Sequence, residues 1–396
     1  MTGRKQHMKV RIDIGLLSAL LIFSNAIVLH ACPFCSGPSR TLTEQLSESE
    51  ITVLAKWIET KKGTLEKSGN TLFEIKKVIR KSDKDHLDVG GQIIINRHRS
   101  GKRSQLFLLL GTNETSMNWK NLIPITETCF QYISQAPPAK EQTSKRLRYF
   151  LKFLEHSDPM IANDAFAEFA NAPYEKITPL AKELPRKKIR TWIVSPDTPV
   201  VRLGLYGLLL GLCGQESDIA FMESKINEPV KKVRFGIDGL ISGYLLQTGA
   251  DGLNKIEQTK FVSETVPYSE TKAAIQALYF MWAYGNERIS KERLRKSMRL
   301  LLDRPELTDL VIADLARWND WSVLDRLMQM YQTEDYNNSS IKRAIIRYLL
   351  VASKGRNKKG IGADPNTAGK AKQLLKKLRE KDPKTVKSAE RLFIVR

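Results

Sequence analysis

The sequence predicts an α+β protein in which a small β-barrel precedes a stack of helical pairs, behind an N-terminal export signal. Three observations predict this architecture. A basic head and an apolar run open the chain, short segments rich in β-branched and aromatic residues follow, and from Lys145 onward apolar residues recur at helical spacing. A chain of 396 residues also exceeds what one ordinary core needs, so two domains are expected.

Residues 1–31 are predicted to be a secretory signal peptide. A basic head at residues 4–11 is followed by an apolar run from Ile14 to Leu29, and the segment ends at Leu29-His30-Ala31-Cys32. These are the parts of a cleaved signal, and the run is shorter than the roughly 20 residues of a spanning helix. We therefore expect the mature chain to be extracytoplasmic, in the periplasm or cell envelope or secreted. A retained anchor is the second interpretation.

The end of this segment also resembles the lipobox of bacterial lipoproteins. The resemblance implies that Cys32 is lipidated and becomes the first residue of a membrane-tethered protein. His30 and Pro33 depart from the lipobox pattern. With or without the lipid, the predicted compartment is the same.

The chain has four cysteines, Cys32, Cys35, Cys129 and Cys213. Cys213 lies in an apolar helical run and is predicted to be a buried, inert thiol. In an oxidising compartment the other three are candidates for a structural disulfide. If Cys32 is lipidated, Cys35 and Cys129 can pair. If it is not, one of the three is free or a small loop closes between Cys32 and Cys35.

The motif Cys-Pro-Phe-Cys also permits thiol–disulfide exchange by Cys32 and Cys35. In a thioredoxin fold such a motif follows a core strand, whereas here it begins the mature chain. Ser36 stands where a haem attachment site needs histidine, and the three histidines that follow are not at metal-ligand spacing. The sequence thus predicts neither a cofactor nor a metal site.

Residues 32–135 are predicted to fold into the barrel. Five segments have strand-like composition and turn-rich connectors, which suits a small Greek-key barrel of the OB type. The predicted strands are Ile51–Glu59, Thr71–Arg80, Gly91–His98, Ser104–Gly111 and LIPITETCFQYI at 122–133. A basic cluster in the predicted hairpin loop between the third and fourth strands has few aromatic neighbours, so we expect a solvated loop and no nucleic-acid groove. Its members are Arg97, His98, Arg99, Lys102 and Arg103.

The opening cysteines and the strand that contains VLAKW resemble the netrin-like domain of metalloprotease inhibitors. The resemblance implies an OB-type barrel, chelation of a protease zinc by the amine and carbonyl of Cys32, and a Cys35–Cys129 disulfide that pins the N-terminal arm. This chain has Cys-x-x-Cys where the inhibitors have Cys-x-Cys, and it has fewer later cysteines. Protease inhibition therefore stands as an alternative function.

Residues 136–144 are a predicted linker, and residues 145–353 are predicted to form an α-solenoid of HEAT-like helical pairs. Five segments begin with a proline-containing turn and continue with apolar residues at spacings of three and four. Their prolines are 40, 30, 38 and 38 residues apart, near the HEAT period, and Asn338 begins a sixth copy without proline. The five are Pro159, Pro199, Pro229, Pro267 and Pro305. Such repeats stack because one pair cannot bury its own apolar face.

Several phrases, among them LEHSDPMIANDAFAEFA and DRPELTDLVIADLARWNDW, are similar to those of exported HEAT-like proteins from planctomycete-type bacteria. The similarity covers most of the mature chain, including the two N-terminal cysteines. It implies the architecture and export, and it supplies no catalytic residues.

The segment DRPELTDLVIADLARWNDW is the strongest candidate for an active site, because it has four aspartates near two tryptophans. A pair of carboxylates can act as acid and base in glycoside hydrolysis. A structural interpretation is preferred. The residues expected in the helix core are Leu310, Ile312, Ala313 and Leu315. Asp309 and Asp314 then lie on partly exposed faces, while Asp303 and Asp320 cap helix ends.

Residues 354–396 carry fourteen basic and four acidic residues in a chain of net charge +21. We predict a basic loop followed by capping helices, the first of them amphipathic. The preferred interpretation is a cap whose outer face is merely polar, on a diffusely basic protein. The second interpretation is an electrostatic role, for which the candidate residues facing an anionic partner are Lys370, Lys372, Lys376, Lys377 and Arg379.

The sequence thus predicts an exported, non-enzymatic interaction or scaffold protein of the bacterial envelope. We expect it to bind a protein or an anionic polymer through a helical-repeat surface. The alternatives are a thiol–disulfide redox protein that uses Cys32 and Cys35, and a protease-inhibitor-like module.

Overall fold

The computed structural model describes residues 39–64, 67–81, 86–113, 117–230, 232–263 and 265–391. Within these ranges the protein is mixed α+β, with a five-stranded antiparallel sheet followed by many helices. The predicted signal peptide and the Cys-Pro-Phe-Cys motif lie outside the described residues.

The sheet is a curled half-barrel with strand order β3-β2-β1-β4-β5. Its strands are β1 (Ile51–Lys61), β2 (Asn70–Arg80), β3 (Gln92–Ile95), β4 (Leu106–Asn113) and β5 (Met117–Ile125). The long central strand β1 pairs with both β2 and β4, and its pairing with β2 shifts register three times. Such irregularities bend a strand and increase its twist, which accounts for the curl. The predicted barrel is therefore confirmed only as a half-barrel, with β3 and β5 at its edges.

Both faces of the central strands are buried, which explains their nearly continuous apolar sequence. Val53, Phe107 and Leu109 belong to a cluster of buried side chains on one face of the sheet. Leu108 and Leu110, on the opposite face of β4, pack instead with the helices.

Two sequence expectations for this region are wrong. The predicted fifth strand at 122–133 is the end of β5 followed by helix α2 (Glu127–Gln135), because the hydroxyl of Thr126 accepts the N–H of Cys129 at 3.0 Å and begins the helix there. The basic cluster at 97–103 is not in a hairpin, since β3 and β4 are not neighbours. It crosses β1, where the indole N–H of Trp57 donates to the carbonyl of Arg99 at 2.9 Å.

One short helix, α1 (Leu42–Glu48), precedes the sheet, and fifteen helices follow α2 in the described part of the chain. They are α3 (Thr143–Phe150), α4 (Pro159–Ala170), α5 (Tyr174–Ile177), α6 (Arg186–Val194), α7 (Leu203–Cys213), α8 (Glu216–Ile226), α9 (Ile237–Thr248), α10 (Ala250–Ile256), α11 (Tyr268–Tyr284), α12 (Lys291–Leu300), α13 (Pro305–Arg317), α14 (Leu324–Gln332), α15 (Ser339–Ser353), α16 (Pro365–Lys381) and α17 (Pro383–Arg391).

The proline-containing turns precede helices as predicted. Pro159 and Pro305 occupy the first turns of α4 and α13, where proline's missing N–H costs no hydrogen bond. Pro267 stands directly before α11, while Pro229 lies several residues before α9. The sixth copy is also confirmed as a helix, because the side chain of Asn338 accepts the N–H of Ser340 at 2.7 Å and caps α15.

Helices α7 and α9 approach each other through glycines. A Cβ added at Gly239 would lie 2.0 Å from the carbonyl oxygen of Gly204, and one at Gly211 would lie 2.2 Å from the Cα of Gly243. Only glycine permits this backbone contact. The glycine-rich run of α7 is therefore a packing surface in the core.

The hydrophobic core is continuous across the predicted linker at 136–144. Leu54, Leu108 and Leu110 of the sheet belong to the same cluster of buried side chains as Leu147 and Phe150 of α3. The sheet and the first helices therefore stabilise each other.

Candidate functional site

The two described cysteines have the environments of inert thiols. Cys129 is buried in α2 and forms no disulfide with a described residue. Burial, reinforced by the charges of Asp158 and Asp164, raises the pKa of its thiol to about 12, so the nucleophilic thiolate is disfavoured. Cys213, the last residue of α7, is half-buried. Burial raises the pKa of its thiol to about 11. The predicted partner of Cys129, Cys35, lies outside the described residues, so the disulfide remains a prediction.

The redox and inhibitor interpretations depend on Cys32 and Cys35, which the described ranges do not include. Both interpretations therefore remain predictions. Among the described residues, no group of three or more histidine, cysteine, aspartate or glutamate side chains could hold a metal ion.

Three of the four aspartates of α13 and its flanks, Asp303, Asp314 and Asp320, are paired with separate arginines. Asp314 is buried and accepts hydrogen bonds from Tyr279 and Arg317, so its predicted partial exposure is wrong. Asp303 forms an ion pair with Arg326 at 2.5 Å rather than the predicted helix cap. These carboxylates are already used for packing and ion pairing.

The remaining residues of this segment also show how α13 is oriented. Leu310, predicted in the core, is 52% exposed, while Val311, Ile312 and Leu315 are buried. Asp320 accepts a hydrogen bond from Arg299 at 2.6 Å. Trp318 is buried and stacks on Trp282 with ring centroids 4.3 Å apart, so it is a core residue.

The basic residues predicted in the tail share the outer surface of the terminal helix pair. Helix α16 buries Ala368, Ala371, Leu375 and Leu378, and both α16 and α17 pack on α15. The five predicted residues are all exposed on α16. We call the outer surface of α16 and α17 the terminal basic face.

Three lysines of the terminal basic face have no ion-pair partner among the described residues: Lys372, Lys376 and Lys377. Lys370 pairs with Asp325 at 2.6 Å, and Arg379 pairs with Glu390 at 2.9 Å. Four further exposed cations that the sequence did not single out belong to the same face: Lys381, Lys384, Lys387 and Arg391. Residues 365–391 therefore carry nine basic and three acidic side chains.

The charge pattern of α16 opposes the stability of the helix itself. Lys372 and Lys376 are four residues apart, and like charges at that spacing cost an isolated helix about 0.2–0.5 kcal/mol per pair. Packing does not need these ammonium groups, because the apolar side of the helix faces α15. An anion that lies across them would relieve their mutual repulsion.

A buried polar cluster that sequence reasoning missed joins α1 to α4. The N–H of Leu42 donates to Asp164 at 2.6 Å, and the hydroxyl of Tyr132 donates to the same carboxylate at 2.7 Å. Glu168, one turn later, accepts from Thr43 at 2.5 Å and pairs with Arg146. Because every partner is distant in sequence, periodicity gave no signal for this cluster.

No family model, no curated protein and no solved structure matches this chain. Among the described residues, no helix combines the length and apolar character needed to cross a membrane.

Proposed function

We propose that this chain is an exported, non-enzymatic binding protein of the cell envelope that holds an anionic polymer on its terminal basic face. One observation carries the proposal: three exposed lysines on one helix have no ion-pair partner among the described residues. The full chain has a net charge of +21, and +18 remains once residues 1–31, with four basic residues and one aspartate, are removed. This charge adds a long-range field that attracts polyanions and raises their association rate.

The test is binding of fluorescently labelled dextran sulfate, with neutral dextran as the comparison probe. We expect the triple variant Lys372→Gln, Lys376→Gln, Lys377→Gln to bind dextran sulfate about tenfold more weakly, since each exposed charge pair contributes up to about 1 kcal/mol. We also expect the dependence of log Kd on log salt concentration to fall by roughly one for each lysine removed.

The matched control removes three other exposed lysines, Lys176, Lys182 and Lys296, by the same change to glutamine. Both triple variants have the same net charge. Equal weakening in the two would show that the polymer is attracted by overall charge, and the proposed face would be rejected.

We also propose the finer architecture, an OB-like barrel followed by a HEAT-like α-solenoid. The open strand order with β1 at its centre supports the first part. For the second, α7, α9 and α11 pack in sequence, and ion pairs join successive helical pairs. Examples are Arg202–Glu155 at 2.8 Å and Arg293–Glu257 at 2.5 Å.

Export itself rests on the basic head and the apolar run before Cys32. The intact mass of the protein from its native host tests it. A chain that begins at Cys32, with or without a lipid, is expected, whereas a mass that retains residues 1–31 would contradict cleavage.

A further inference from the structure

A second basic site lies far along the chain from the terminal basic face, in a cleft between α6 and α8. The cleft has a volume of about 360 Å³, within the range of small-molecule sites. Its cationic wall is formed by Arg186, Lys187 and Arg190 of α6. Ser217 and Phe221 of α8 line the opposite side, and no carboxylate is among the described lining residues.

A buried carboxylate fixes the two arginines. Asp218 is fully buried behind the cleft and accepts from Arg186 at 2.7 Å and from Arg190 at 3.2 Å. Burial alone would raise its pKa, but hydrogen bonds from the Gln215 N–H and the two guanidinium groups outweigh burial and hold the pKa below its usual value. Asp218 therefore stays charged and holds both guanidinium groups in position before any ligand arrives.

The arrangement leaves donors unused on two partly exposed guanidinium groups. Each guanidinium has five N–H groups, and those of Arg186 and Arg190 use only one terminal nitrogen each on described acceptors. The guanidinium of Arg190 also lies 4.4 Å from the ring centre of Phe221, which orients its plane. Three cations against one buried carboxylate leave the cleft with a net positive charge.

We propose that the α6–α8 cleft binds the phosphate group of a small organic phosphate monoester. The cleft offers hydrogen-bond donors from two guanidinium groups, the Lys187 ammonium and the Ser217 hydroxyl. The two oxygens of a carboxylate cannot accept hydrogen bonds from all of these donors, whereas the three oxygens of a phosphate monoester can. The apolar surfaces of Phe221 and Val194 suit a small apolar or aromatic group on the ester. This site is independent of the proposed polymer binding, because it uses different helices.

The test is calorimetric titration of the mature protein with phenyl phosphate, with benzoate as the carboxylate comparison. Lys187→Gln removes a cleft donor that makes no contact with Asp218, and we expect it to weaken phenyl phosphate binding roughly three- to tenfold. Lys188→Gln is the matched control, since Lys188 is exposed on the same helix but does not line the cleft. We expect it to bind as the unchanged protein does.

A second variant tests the arginine pair. Arg190→Gln should weaken phenyl phosphate at least about tenfold, because a charge-assisted hydrogen bond is lost. Its melting temperature is measured alongside, since Asp218 loses a partner. Absence of saturable binding at millimolar phenyl phosphate, benzoate binding as tight as phenyl phosphate, or equal weakening by Lys187→Gln and Lys188→Gln would overturn the proposal.

The same phosphate chemistry occurs on a soluble ester and on a phosphatidate headgroup. Vesicles of phosphatidylcholine with and without phosphatidate distinguish the sources, in the background of the Lys372, Lys376 and Lys377 triple variant. Binding that requires phosphatidate and falls with Lys187→Gln would identify the lipid as the source. If phenyl phosphate binds, Lys187→Gln weakens that binding, and vesicles with phosphatidate do not bind, the ligand is a soluble ester.

Discussion

The carboxyl group of Asp164 shows how one side chain holds the N-terminal segment to the helices. It is 6% exposed and accepts hydrogen bonds from the N–H of Leu42 and from Tyr132. Burial, together with the nearby charge of Glu168, raises its pKa from 3.8 to about 6 despite these bonds and the charge of Arg146. The protonated carboxyl therefore fits the folded protein better than the charged one.

This raised pKa predicts the pH dependence of stability. The protonated carboxyl of Asp164 adds to the free energy of unfolding. This contribution is fully present below 3.8, the pKa of the carboxyl in the unfolded chain, and is lost as pH rises through about 6, its pKa in the folded protein. Asp164→Asn, which stays neutral, should remove this dependence. We expect the unchanged protein to lose about 1–3 kcal/mol relative to Asp164→Asn between about pH 4 and pH 8.

Urea unfolding at several pH values measures this difference, with the exposed Asp335→Asn as the control. A constant stability difference between the unchanged protein and Asp164→Asn across that range would contradict the prediction.

Among the elements, the glycine contact of α7 with α9 decides how closely these two helices approach each other. Gly239 meets Gly204 backbone to backbone, so a methyl group there forces the helices apart. We expect Gly239→Ala to destabilise the protein by about 1–3 kcal/mol through overpacking.

The control for this change is Gly369→Ala in α16, where an added Cβ meets no atom within 4 Å. There alanine should stabilise the protein by about 0.5–1 kcal/mol, because glycine loses more conformational freedom in a helix. Opposite signs of the two changes in urea unfolding are expected. A stabilising Gly239→Ala would show that α7 and α9 can separate at no cost.

For the whole molecule, the continuous core predicts that the half-barrel and the helices unfold together. Leu54 and Leu108 of the sheet share their cluster with Leu147 and Phe150, so removing the sheet exposes apolar surface on α3. A fragment of residues 136–391 should therefore unfold at a lower urea concentration than residues 39–391, and it should bind a hydrophobic dye. Equal midpoints without dye binding would show that the helices fold independently.

Much of the fold could be predicted because it follows from local patterns. Strands β1 and β2 and the proline-started helices agree with the sequence, since alternation, helical spacing and proline's missing N–H act over a few residues. The start of strand β5 was missed because the residues around Trp119 are mostly polar. They lie at the sheet edge and do not show the alternation of buried and exposed side chains that marks a strand with one buried face. Leu310 was wrongly placed in the core because apolar residues lie on more than one side of α13. Which side of such a helix faces the core is decided only by packing against neighbouring elements.

The sequence by itself determined the α+β class, the basic C-terminal helix and the cysteine positions, because composition and short-range spacing are properties of the chain. Only the tertiary structure decided which charged side chains are paired or buried and which remain exposed to solvent. It placed Asp218 behind Arg186 and Arg190, and it joined Asp164 to a backbone N–H 122 residues away. Ion pairs and buried polar contacts depend on distances between remote segments, and those distances are set only when the cores pack.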